Sequence, residues 1–401
     1  MSVIRMPEPI VRIGLDTFER NWPKRLKGSR VGLLIHPASV NRRLEHTVNL
    51  FVQSRKFTLK AIFGPQHGIY GETQDNMIEW EGFHDRHTGL PVFSLYGRTR
   101  KPEPIMLEHI DVLAIDLQDV GARYYTFIWT MENCMQACME MSKSIVILDR
   151  PNPIGGHKIE GPVLEEAYAS FVGQRPLPVR HGMTVGEIGN YLWSAFYSSL
   201  DFHVIPVQGW KRTFWFDGTH LPWVMPSPNM PTPDTAMAYP GMCLLEGTNI
   251  SEGRGTTKPF EIFGTPFIEP MQLVRQLKEF NLPGVIFRPL YFEPTFQKHA
   301  GNACGGAQLH VTHRERFKPF KTGVAIVKAV HDLYPKHFLW KQPPYEYETE
   351  KMPIDILAGT KRLRQDLERG ETLDRMEEWW EEQCSQFNKG YRKKYLIYHN
   401  T

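Results

Sequence analysis

Short, nearly unbroken apolar runs recur through the first third of the chain: RVGLLIHP (30–37), LKAIFGP (59–65), PVFSLYG (91–97), DVLAIDLQD (111–119) and SIVILDRPNP (144–153). Each is rich in β-branched or aromatic residues and ends at Gly, Pro or Asp, the mark of a strand. Continuous rather than alternating apolarity predicts strands covered on both faces, as in a parallel sheet. Between them, residues 44–56 and 126–142 carry helical spacing. The pattern predicts an α/β fold with a doubly wound, mostly parallel sheet. Ligands of such sheets lie beyond the carboxyl ends of the strands. That rule gives one address to the loops HPASVN, GPQHG, QDVGARYYT and DRPNP.

The Pro-rich passage LPWVMPSPNMPTPDTAMAYPG (221–241) breaks the periodicity and reads as a boundary. It divides the 401 residues into an N-terminal domain of residues 1–232 and a smaller α/β or α+β C-terminal domain of residues 233–401. In the second part GVIFRPLYF and AQLHVTH predict strands. TGVAIVKAVHDLY and a charged stretch at 373–387 predict helices.

Composition narrows the function classes. At 41% hydrophobic and 23% charged, the chain is globular rather than disordered. Its 47 basic and 44 acidic residues leave a formal charge of +3, without a dense basic block, so no nucleic-acid partner is expected. Five scattered cysteines do not form a disulfide framework, and Cys134 and Cys138, four apart, lack companions for zinc. The start shows no apolar run of signal-peptide length, and no segment approaches about 20 apolar residues. A cytoplasmic protein without a membrane partner is the expectation.

Candidate chemistry lies in the loops. In AIFGPQHGIYGETQDNM (61–77), Gly64, Gly68 and Gly71 bracket Gln66, His67 and Glu72. His67 reads either as a general acid/base or as a hydrogen-bonded loop histidine. Gln66 transfers no proton but can orient a water or a hydroxyl, and Glu72 is the nearest carboxylate in sequence. QDVGARYYT sets Asp119, Arg123, Tyr124 and Tyr125 at a strand end leading into a helix. This reads as an anion site or as an Asp–Arg structural pair with packing tyrosines. DRPNP carries Asp149 and Asn152 on a proline-stiffened loop, and Glu160 follows in a predicted turn. EGTNISEGRG packs Glu246, Asn249, Ser251, Glu252 and Arg254 among glycines that let backbone approach a ligand.

Several classes find no support. There is no G-x-G-x-x-G for a dinucleotide, no Gly-Lys-Ser/Thr phosphate loop and no G-x-S-x-G elbow. Metal-assisted hydrolysis would need His36, His67 and Asp119 to converge, and no H-E-x-x-H or comparable spacing supports it. Neither a metal nor an organic cofactor is expected.

The ordered blocks FGPQHG, SLYGRTRKPEPIML, DLQDVGARYYTFIWTM, LDRPNPIGG, IEGPVLEEAYASFVG, PSPNMPT and LEGTNISEGRGTTKPFEIFGTPF together resemble the NamZ family of exo-β-N-acetylmuramidases, from about Gly14 to the closing RKKYLIY. The resemblance implies a Rossmann-like N-terminal domain and an auxiliary C-terminal domain, with the sugar between them. It implies hydrolytic release of N-acetylmuramic acid from the non-reducing end of peptidoglycan fragments. Under it, Arg123 and Arg254 are the forks for the lactyl carboxylate. Asn152, Asn249 and Gln66 meet the N-acetyl group and hydroxyls, and Tyr124, Tyr125 and Trp129 face the ring.

Glycoside cleavage usually needs two carboxyl groups. Where family members read G-P-E-H-G, with that Glu taken as catalytic, this chain has Gln66. A second position, often Glu in relatives, is Gln136. The implied acid/base pair then becomes Glu72 with Glu246 or Glu252. The alternatives are a muramic-acid-binding protein that has lost the chemistry, or a hydrolase of another acidic sugar. All of these readings require Arg123, His67 and Arg254 to share one hollow. Oligomeric state is left open.

Overall fold

The computed structural model describes residues 11–75 and 77–399. Its main sheet has seven strands. They are β1 (Arg30–Ile35), β2 (Thr58–Gly64), β3 (Phe83–His84), β4 (Pro91–Ser94), β5 (Val112–Asp116), β6 (Ser144–Leu148) and, after a ribbon of β7 (Glu160–Val163) and β8 (Pro178–Arg180), β9 (Phe202–Ile205). The order is β3-β4-β2-β1-β5-β6-β9, parallel throughout except for β3 against β4. The chain leaves β1 toward one edge and returns at β5 to build the other. The crevice of such a sheet therefore opens beyond the carboxyl ends of β1 and β5.

The unbroken apolarity of these strands has a direct cause. Side chains alternate between faces, and each face carries its own core. Val31, Leu33, Ile35, Val112, Ala114, Val146 and Leu148 enter one cluster. Leu34, Leu113, Ile115, Ile145 and Ile147 enter the other. Helix Phe127–Glu140, expected near 126–142, lies on the second face and buries Phe127, Ile128, Trp129, Met131 and Met135.

The second core does not stop at the Pro-rich passage. It continues into Leu244, Phe263, Ile326 and Trp380, so both halves are built on shared apolar contacts. The passage itself contains helix Pro233–Met242, which the proline count had obscured. Thr232 caps it, and Pro233 occupies the first turn, where a missing N–H costs nothing. This helix meets helix Pro319–Leu333 backbone to backbone. A Cβ on Gly241 would lie 1.9 Å from the Pro319 carbonyl oxygen, and one on Gly323 would lie 2.2 Å from that of Gly241.

The second half holds the antiparallel sheet β10 (Ile262–Thr265), β12 (Cys304–Val311) and β11 (Val285–Phe292), with β12 in the middle. Of the two forms left open for this part, it takes the α+β one. Helix Leu373–Phe387 then returns to pack on β7. Among the described residues, no helix is long and apolar enough to cross a membrane.

Candidate active site

A cleft opens where the loops after β2 and β5 meet the 226–230 loop and two segments of the second half. Its lining includes Gln66 and His67, Tyr124 to Phe127, Ser227 and Asn229, Tyr239, Glu246, Arg254, Phe260, Tyr345 and Glu346. Two polar networks form its walls.

The first is centred on Glu246. Arg254 donates through Nη1 to Glu246 Oε1 at 2.8 Å, and Tyr345 donates its hydroxyl to Glu246 Oε2 at 2.8 Å. The same Nη1 reaches Glu252 Oε1 at 2.8 Å, and Lys298 Nζ reaches Glu252 Oε2 at 3.0 Å. Two carboxylates and two cations thus neutralise each other in a buried cluster. Burial alone would raise Glu252, but Lys298 and Arg254 hold its carboxyl down at about 2. Glu252 does not line the cleft; it sits behind Arg254. The Arg254 Nε–H is buried and without a partner.

The second network runs through Gln66. Thr126 donates to Gln66 Oε1 at 2.8 Å, and Gln66 Nε2 donates to the Tyr96 hydroxyl at 3.1 Å. Tyr96 in turn donates to Glu346 Oε2 at 2.9 Å. The amide is therefore oriented by a donor on one side and an acceptor on the other. Beside it, His67 Nδ1 stands 2.8 Å from the Thr73 carbonyl oxygen, which only accepts, so Nδ1 carries the proton. Burial pushes His67 down to about 4, leaving a neutral ring with Nε2 as an acceptor.

Several other predicted site residues lie elsewhere. Arg123 is fully buried and faces away from the cleft. Nη1 binds the carbonyls of Pro162 and Leu177 at 2.7 Å, and Nη2 binds that of Leu357 at 2.8 Å. Burial lowers its pKa to about 10. It clamps three chain segments, so the expected convergence of Arg123, His67 and Arg254 holds for the last two alone. Tyr124 and Tyr125, next in sequence, do line the cleft, with Tyr125 bonding Ser227 Oγ at 2.9 Å. Trp129 is buried below, donating to the Arg123 carbonyl.

Asp119 is buried beneath the cleft, where it accepts from the Gly121 N–H and lies 3.2 Å from His181 Nε2. Asn152 accepts from the Ile154 N–H of its own turn and donates its amide to the distant Met183 carbonyl, which ties two loops together. Asn249 donates to the His337 carbonyl and accepts from the Leu339 N–H, both distant in sequence, and Ser251 accepts from the Gly253 N–H within its own turn. The glycines of this stretch serve self-packing. Gly253 has φ +82°, and a Cβ there would lie 2.4 Å from the Ile262 carbonyl oxygen. Glu72 is exposed outside the cleft lining. Gln136 pairs with Glu140 one turn along the outer side of its helix. Glu160, expected in a solvated turn, is buried and accepts from the Lys321 N–H.

His36 is buried and its Nε2 accepts from the Gln118 N–H. Among the described residues, no three His, Cys, Asp or Glu side chains gather to hold a metal ion.

The cleft residues not anticipated from sequence include Ser227, Asn229, Tyr239, Phe260, Tyr345 and Glu346. Ser227 and Asn229 belong to PSPNMP, whose prolines mark a boundary in the sequence and give no sign of chemistry. Tyr345 and Glu346 sit in KQPPYEYETE, a loop that follows no strand and so escapes the carboxyl-end rule. Its signal was a stiff Pro-Pro followed by alternating aromatic and acidic residues.

Comparison with known proteins covers nearly the whole length. Residues 31–234 match the model of the N-terminal domain of exo-β-N-acetylmuramidase NamZ, and residues 237–398 match that of its C-terminal domain. The chain is 46% identical over 391 residues to the peptidoglycan β-N-acetylmuramidase NamZ of Bacillus subtilis (strain 168), covering 98% of this chain and 92% of that protein. Two crystal structures of DUF1343 family proteins from Bacteroides fragilis share the fold. One has a TM-score of 0.87 at 34% identity, covering 98% of this chain and 100% of the other. The second has a TM-score of 0.74 at 28% identity, covering 98% and 99%.

Proposed function

The chain belongs to the NamZ family, and from that premise we propose that it is an exo-acting glycosidase releasing N-acetylmuramic acid from the non-reducing end of peptidoglycan fragments. The observation that carries this reading is Glu246. Its carboxylate lines the cleft, fixed by Arg254 on one oxygen and Tyr345 on the other. A carboxylate held by two donors keeps its orientation without further ordering cost, as a group acting at an anomeric carbon requires.

The neighbouring groups suit a muramic sugar. Arg254 lines the cleft with its guanidinium, and we assign it the lactyl carboxylate. His67 Nε2 accepts from a ring hydroxyl. Ser227 offers an oxygen to the N-acetyl group, and Gln66 keeps the Thr126–Tyr96 wall in place. Tyr124, Tyr125, Tyr239 and Phe260 supply apolar surface for a sugar face. Glu252 acts behind Arg254 as its counter-charge.

Five free, buried cysteines suit a reducing compartment, and we place the protein in the cytoplasm. Cell fractionation with an antibody to the chain tests this, and recovery outside the cytoplasm refutes it.

The activity is tested with a chromogenic β-N-acetylmuramide beside its glucosamine analogue. Turnover of the muramide well above that of the analogue is expected. No turnover above a heat-killed control, with the sugar still bound, would leave a binding protein instead.

A further inference from the structure

We infer that Glu346 is the acid that protonates the leaving glycosidic oxygen. This rests on the muramidase reading and adds the second carboxyl which that reading leaves unnamed.

The geometry separates the two carboxyls of the cleft. Glu246 is ion-paired with Arg254 and takes a hydrogen bond from Tyr345, so it is a proton acceptor. Glu346 lines the same cleft, is 4% exposed, and among the described residues has no cation within ion-pair distance. Its Oε2 takes the Tyr96 hydroxyl, the last link of the chain from Thr126 through Gln66. A buried carboxyl without a cation is less costly neutral than charged. Burial accordingly lifts Glu346 to about 7, with Glu246 pushing the same way and Tyr96, Arg254 and Gln66 pulling down.

The backbone points to the same residue. Glu346 and Tyr347 take left-handed φ values of 45° and 68° in succession, a conformation that side chains other than Gly rarely adopt. The adjacent Tyr345 holds Glu246. One short loop therefore orients the acceptor carboxylate and presents the protonated one.

The groups facing Glu346 are Tyr96 and Gln66 from the loops after β4 and β2, Glu246 and Arg254 opposite, and Tyr345 and Tyr347 on its own loop. Neutral His67 adds no charge near pH 7. In the reaction, the C1–O bond breaks with its electron pair moving to the leaving oxygen, which takes the Glu346 proton. Water adds its hydroxyl at C1, and its remaining proton returns to Glu346 by the end of the turnover.

The test compares two leaving groups. The 4-nitrophenolate of a 4-nitrophenyl muramide leaves without protonation, whereas the sugar oxygen of a muramic acid–glucosamine disaccharide does not. For the wild type, kcat/KM on the disaccharide is expected to fall as pH rises above about 7, with a weaker fall for the nitrophenyl substrate. Glu346→Gln is expected to lose about 100-fold or more in kcat on the disaccharide but under about tenfold on the nitrophenyl substrate. Equal losses on both, or retained disaccharide turnover, would overturn the assignment. If the variant fails to fold, the wild-type profiles decide: identical alkaline limbs for both substrates refute it. A wild type that cleaves neither substrate refutes the muramidase reading itself, which is a different failure.

Discussion

Replacing Arg123 with Met separates the two roles that an arginine in QDVGARYYT can take. The guanidinium binds three carbonyls, those of Pro162, Leu177 and Leu357. The Leu177 oxygen keeps a second donor, the Leu164 N–H at 3.1 Å. Pro162 and Leu357 lose their charged donor inside a core that water does not reach. Leaving a buried acceptor unpaired costs about 1–3 kcal/mol, so two of them cost about 2–6 kcal/mol. Methionine nearly fills the vacated volume, so little cavity cost is added.

Urea unfolding followed by the fluorescence of the 10 tryptophans measures the loss by linear extrapolation. KM for the muramide, taken on the fraction that remains folded, is expected to change less than about threefold, since that side chain never reaches the cleft. A variant of wild-type stability with a KM raised tenfold or more would refute the reasoning. It would mean that Arg123 meets the lactyl carboxylate after all.

Gly241→Ala puts a methyl 1.9 Å from the Pro319 carbonyl oxygen, so the two helices must separate. A loss of about 1–3 kcal/mol is expected in the same unfolding assay, with no loss expected for Ala at Gly390, where an added methyl meets nothing within 4 Å. Glu246→Gln keeps the shape and removes the charge that Arg254 faces; kcat on the nitrophenyl muramide should drop about 100-fold or more while binding of free muramic acid persists. The buried Glu252 cluster predicts acid sensitivity. Its folded pKa of about 2 lies below the unfolded value, so its stabilisation is complete above about pH 4.5 and is lost as pH falls toward 2. Glu252→Gln should cost about 3–5 kcal/mol at pH 7 and flatten that acid limb, measured by melting between pH 3 and 7.

Much of this molecule is written locally. Each central strand has to satisfy two cores, so its residues are apolar without interruption, and a one-dimensional pattern suffices to find it. The carboxyl-end rule then locates Gln66, His67, Tyr124 and Tyr125 in the cleft, because a parallel sheet sends all such loops to one side. Glu246 and Arg254 were legible from the density of charge among glycines.

What needed three dimensions was the direction in which each polar group points and what it meets. Arg123 and Tyr124 are neighbours in the chain, yet one clamps buried carbonyls and the other lines the cleft. Asn152 and Asn249 read as ligand contacts in sequence and instead bond the distant carbonyls of Met183 and His337, while Ser251 accepts from Gly253 within its own turn. Glu346 lies 280 residues beyond Gln66 in sequence, yet the two are linked through one tyrosine hydroxyl. Apolar burial is periodic and adds up along a segment, so sequence alone specifies the layers of the fold. A hydrogen bond is a pairwise, directional contact between distant segments, and only the packed chain decides which pairs are made.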